Sequence, residues 1–335
     1  MPATFSVRSR MSAPVLLLAA FLPLYYAQAE ATEIQFGQFS ITLSESWTAQ
    51  VFHMVDQLAQ WDESSHKAYS RWARTNLSFD AEDRRLLEKH GEMRRARGWG
   101  KGFEQAFLVE DSIELAAVKA VDQNILSAEE AESERVILSH FAPKLIALRD
   151  QQQRKVDAFR AGLLSERQRL LPWFEKLIRF TQTTTDVNVP VYLVANSEEG
   201  SGGGEANGGR IVVEVPSPSP MGFLLHESLH VLLEPHLSEI RTVAESAGIR
   251  WQDFNEGIVY ALAPGLTDDP AVVDSLAEQV ARYLVRRTPP TDAYAQSYMI
   301  ASVIRPVLRA SIDAGETLPQ FLPKAIAKWR SVMPQ

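Results

Sequence analysis

Two histidines four residues apart, with a glutamate directly after the first, stand out in the second half of this chain: His226-Glu227-Ser228-Leu229-His230. On a helix, residues i and i+4 share one face. Both imidazoles can therefore reach one metal ion, and zinc takes such nitrogens at about 2.0–2.1 Å. Glu227 adjoins the first ligand and is placed to take a proton from a water at the metal as general base. Zinc lowers the pKa of such a water to about 7, which supplies a nucleophile near neutral pH. Phe223, Leu224, Leu225, Leu229, Val231 and Leu232 surround the motif. Histidines buried on so apolar a helix need partners, and either a metal or polar groups of the protein would supply them.

A catalytic zinc site takes three protein ligands and keeps one position open. Glu256, in Asn255-Glu256-Gly257, and His236, six residues after His230, are the two candidates for the third. The second has the spacing of the His-Glu-x-x-His-x-x-Gly-x-x-His pattern. That pattern has glycine where this chain has Leu233, and leucine resists the positive φ of the sharp turn. Pro235, just before His236, departs from it as well. The reading therefore favours Glu256, and one zinc ion per chain held by His226, His230 and Glu256.

His226-Glu-x-x-His230, Phe254-Asn255-Glu256-Gly257 and Ala293-Tyr294-Ala295-Gln296-Ser297-Tyr298 together resemble the gluzincin metallopeptidases. The likeness is greatest to the bacterial peptidase-MA-like domains and more distant to the zinc aminopeptidases. It covers residues from about 187 to 335 and leaves the first half uncovered. It implies a zincin-like domain in which both histidines and the downstream glutamate bind zinc and the motif glutamate activates water. It also implies that a tyrosine opening a later helix supports the oxyanion. Tyr294 occupies that position, and Tyr298, four residues on and on the same face, is the alternative donor. The strands before the motif helix resemble the substrate-aligning edge of that group. The aminopeptidase motif Gly-Ala-Met-Glu-Asn has no clear match, which leaves the choice between endo- and exopeptidase open.

The elements that must position these residues can be read coarsely. Residues 187–195 alternate and are rich in valine, which predicts a strand. Residues 196–209 hold six glycines and predict a loop; residues 210–215 predict a second strand. Residues 221–233 form the motif helix, stopped by Pro235. Further helices are expected over 237–247, from Asp253 to 262, from Pro270 to 287, from Thr291 or Asp292 to 312, and over 318–332. Upstream, residues 46–180 read as helical, with Asp80 as an N-cap, a capping box from Ser127 to Glu130, and a kink at Pro143. His53, His66, His90 and His140 are isolated there and read as surface or packed residues. The expected fold is α+β and predominantly α-helical: a helical region over 30–180, then a zincin-like domain over 181–335 containing a short antiparallel β-hairpin.

Arg8 and Arg10, an apolar run over 13–26 and Ala27-Gln28-Ala29 form a signal-peptide succession. The apolar run is shorter than the ~20 residues needed to span a bilayer. The expectation is cleavage after residue 29, a periplasmic or secreted product and no lasting membrane anchor. Removing two arginines takes the net charge from −8 to −10. Lysine and arginine cluster nowhere, which argues against nucleic acid as a partner. The absence of cysteine excludes disulfides and thiolate ligands, so histidine and carboxylate must hold any metal. The function expected is hydrolysis of a peptide or protein substrate. The alternatives are a catalytically silent zinc-binding interaction protein of the same fold and a zinc hydrolase of a non-peptide substrate.

Overall fold

The computed structural model describes residues 32–62, 65, 67–98, 102–108, 112–195, 203–215, 220–262 and 295–333. The expected signal segment, the expected helix from Pro270 to 287, His66 and Tyr294 lie outside these residues. The described part falls within one compact unit, Ala31–Gln335.

The fold is mostly helical around a five-stranded mixed sheet ordered β1-β2-β3-β5-β4. Strands β1 (Thr32–Phe36) and β2 (Phe39–Ser44) form a hairpin turning at Gly37, which has φ +70°. Strand β2 runs parallel to β3 (Val187–Ala195), and β3 runs parallel to β5 (Arg210–Val215). Strand β4 (Gly204–Asn207) closes the sheet as an edge, antiparallel to β5.

Two features of the fold differ from expectation. The region 30–180 is not wholly helical, because β1 and β2 open it and pair into the sheet of the second half. Their Ile34, Phe36, Phe39, Ile41 and Leu43 alternate inward and pack on Phe174 and neighbouring apolar residues. The two strands expected to form the antiparallel hairpin run parallel instead. The hairpin pairs β5 with β4, which forms inside the glycine-rich stretch. Gly208 and Gly209 both take positive φ, +56° and +74°, as a two-residue turn matched to strand twist requires.

Strand alternation gives the sheet two covered faces. Val191, Leu193, Ile211 and Val213 face one core, shared with α7 (Arg149–Phe180), α8 (Pro220–Leu233), α9 (Leu237–Ser246), α10 (Trp251–Leu262), α11 (Ala295–Asp313) and α12 (Leu318–Val332). Tyr192, Val194 and Val212 face the other, shared with α1 (Trp47–Ala59), α2 (Lys67–Asn76), α3 (Ala81–Arg97), α4 (Phe103–Phe107), α5 (Ile113–Asp122) and α6 (Ala128–Phe141). The expected caps are present: Asp80 caps α3 and Ser127 caps α6, each with a reciprocal bond from its third helical residue. At Pro143 the chain passes through a 3-10 segment, Ala142–Leu148, before α7 begins.

Candidate metal centre

Helix α8 carries His226 and His230 on one face, and α10 brings Glu256 against them. The ligand atoms of these three residues lie within 4.8 Å of one another, and the group could hold a metal ion. The Nε2 atoms of the two histidines are 3.2 Å apart. Glu256 reaches His226 Nε2 with Oε2 at 3.3 Å and His230 Nε2 with Oε1 at 3.2 Å. Tetrahedral ligands about 2.0–2.1 Å from a zinc ion are separated by about 3.3 Å from one another. The two-nitrogen, one-carboxylate set fits zinc in its chemistry; the two nitrogens have that spacing, and each nitrogen has it to a separate oxygen of Glu256.

The electrostatics of the cluster follow from its burial. Burial would raise the pKa of Glu256, but hydrogen bonds from His226 and His230 outweigh it and hold the carboxyl well below its usual range. The same contact works on His230: burial opposes its protonation, and Glu256 more than offsets that and raises its pKa. Glu227 is 7% exposed. Burial raises its pKa, while His226, His230 and the backbone N–H of Ala206 pull the other way. A carboxylate with a raised pKa takes up a proton more readily, as a general base acting near neutrality needs.

Glu227 thus sits between the motif helix and edge strand β4. The approach there is close. A Cβ on Gly204 would lie 3.1 Å from Glu227 Cγ and 3.4 Å from Phe223 Cβ. Gly257 plays a matching part on the other side, where a Cβ would meet Ile300 Cγ2 at 2.5 Å. Its lack of a side chain lets α10 and α11 cross closely beside Glu256.

Around the cluster, Asn255 Nδ2 is 3.1 Å from His230 Nδ1. The Tyr260 ring lies 4.7 Å from that of His226, and the Tyr298 ring 4.4 Å from that of Tyr260. Tyr260 packs on His226 from one turn after Glu256.

His236 is elsewhere. Helix α8 ends at Leu233, Pro235 lies in a 3-10 turn, and His236 Nε2 bonds the carbonyl of Thr181 at 2.7 Å. Of the first-half histidines read as surface or packed residues, His53 and His90 are buried. His53 pairs with Glu214 at 2.8 Å, and His90 lies between Asp56 at 2.8 Å and Glu134 at 3.0 Å. Sequence reasoning missed Asn255 as a partner of His230 and missed β4 altogether.

No helix among the described residues is long and apolar enough to cross a membrane. No family model, curated protein or solved structure matches the chain.

Proposed function

We propose that this protein is an exported zinc metallopeptidase of the gluzincin type, with zinc held by His226, His230 and Glu256 and with Glu227 as general base. The observation that carries the reading is the convergence of the two histidine Nε2 atoms, 3.2 Å apart, on the Glu256 carboxylate, which sets Oε2 3.3 Å from His226 and Oε1 3.2 Å from His230, beside a buried second glutamate.

When bound, zinc supplies Lewis-acid polarisation and activates water near neutral pH. The chain's own residues do the remainder. Glu227 takes the proton from the attacking water and returns it to the leaving amine. Its carboxylate is kept in place by the Ala206 N–H and by the tight passage of Gly204. The outward backbone of β4 offers an extended peptide a strand to pair with, which would carry the scissile bond past Glu227. Tyr294 is the proposed donor to the carbonyl oxygen as it gains charge, with Tyr298 as the alternative.

A non-peptide substrate would leave the β4 edge, unpaired among the described residues, without a use, so a peptide fits the surroundings of Glu227 better. A silent binding protein would have no need of a buried glutamate beside the ligands.

Metal analysis of the purified chain tests the ligand assignment. One zinc per chain is expected, lost in His226→Ala and strongly weakened in Glu256→Gln, with little change in His236→Ala. Loss of zinc in His236→Ala together with retention in Glu256→Gln would overturn it.

A further inference from the structure

Strand β4 carries a glutamate that the reaction does not use. Gly203 accepts a hydrogen bond from the N–H of Glu214 at 3.0 Å. Antiparallel alternation then turns the N–H and C=O of Glu205 towards β5 and those of Gly204 and Ala206 towards the edge left unpaired among the described residues, where Glu227 takes the Ala206 N–H and leaves the Ala206 C=O and both groups of Gly204 to pair. An antiparallel peptide on that edge would face Glu205 as a non-hydrogen-bonded pair, the kind that brings opposing side chains closest. Gly204 lies against the motif helix, so alternation sends the Glu205 side chain to the other face, towards α1, α3 and α4.

Half-buried there, Glu205 is acted on by His53, Asp56, Glu104 and Arg94. Both cations in that set are already engaged. His53 pairs with Glu214 at 2.8 Å, and Arg94 serves Asp56 at 2.7 Å and Glu104 as well. Among the described residues no hydrogen bond or ion pair holds the Glu205 side chain. Glu104, 1% exposed, also has one oxygen, Oε2, with no hydrogen-bond partner. Among the described residues these surroundings are therefore short of positive charge. Burial, with Asp56 and Glu104 adding to it, pushes the Glu205 carboxyl up to about 8 against the pull of His53 and Arg94.

We infer that Glu205 determines specificity by receiving the cationic side chain of a lysine or arginine in a peptide paired along β4. The inference rests on the peptidase reading above. A guanidinium or ammonium brought to this position would supply the missing counter-charge, and a neutral side chain of equal length would not.

The test uses the zinc-loaded full chain and peptides acetylated and amidated at their ends, which keeps terminal charges out of the comparison. Each position around the cut carries arginine or its neutral isostere citrulline. At one position the kcat/KM ratio of arginine to citrulline should be about 10 or more, because pairing with a charged group is worth that much. In Glu205→Gln the ratio should fall to near 1. If that variant does not fold, Glu205→Asp should lower the ratio in part. A wild-type ratio near 1 at every position, or a ratio that survives Glu205→Gln, overturns the inference.

If no peptide is cut, the peptidase reading fails, and binding of the same peptides to Glu227→Gln protein decides the role of Glu205. Tighter binding of the arginine peptide, abolished by adding Glu205→Gln, supports it; equal binding of both peptides overturns it.

Discussion

Asn255 places its side-chain amide 3.1 Å from Nδ1 of His230, the ring nitrogen turned away from the ligand cluster. If His230 binds a metal through Nε2, its Nδ1 carries the proton and needs an acceptor. The Asn255 amide has one to offer, since its Oδ1 is buried without a hydrogen-bond partner. A half-turn of the amide brings Oδ1 to Nδ1–H and satisfies both atoms. Asn255→Ala should therefore weaken metal affinity by about 10–100-fold while keeping the three ligands. Asn255→Asp, which keeps an acceptor, should retain most of it. Chelator competition reads both variants, and equal affinities across the series would remove Asn255 from the site.

A second expectation concerns pH. Burial alone would lower the pKa of His90, yet Glu134 and Asp56 raise it to about 9 from an ordinary 6.5. A group raised in this way stabilises the fold fully below about pH 6.5 and loses that contribution as pH rises through about 9. The difference is on the order of 3 kcal/mol. Denaturant unfolding should show wild type well above His90→Gln at pH 6, with the gap closing by about pH 9.5. A gap of constant size across that range would contradict the assignment.

The two tyrosines can be separated by kinetics. Tyr298 packs its ring on Tyr260, which in turn packs on His226, and this stacking gives Tyr298 a packing role. Tyr294 directly precedes Ala295 in the sequence. Tyr294→Phe should lower kcat by ~10²–10³, the usual loss for one oxyanion donor, with zinc content unchanged. Tyr298→Phe should cost far less. The reverse result would transfer the role to Tyr298.

How much of this could be read from the sequence depended on how local the signal was. The motif helix, the caps at Asp80 and Ser127 and the strand over 187–195 depend on spacing within a few residues, and all were legible. Glu256 was legible for another reason: Leu233 and Pro235 argue against the turn that would bring His236 back. The first hairpin was missed although Ile34, Phe36, Phe39, Ile41 and Leu43 alternate around Gly37, a strand pattern as clear as any in the chain. The direction of β3 against β5 was not legible. A glycine-rich connection is compatible with either a direct hairpin or an extra strand, and the choice is made by tertiary pairing with β2. Strand β4 has no apolar alternation, because Gly204 must admit the Glu227 side chain and Glu205 faces other charges. The pairing of His53 with Glu214 and of His90 with Asp56 and Glu134 spans 161, 34 and 44 residues, beyond any local pattern.

The central claim is that Glu227 acts as a base on water at a metal held by its neighbours. Hydrolysis of denatured protein and of a broad peptide library by the zinc-loaded chain, set beside Glu227→Gln at equal zinc content, tests it most directly. Wild type should cleave peptide bonds, and the variant should lose about 10²–10⁴-fold of that activity with one zinc retained. Cleavage at the wild-type rate by Glu227→Gln, or no cleavage by a fully loaded wild type, would contradict it.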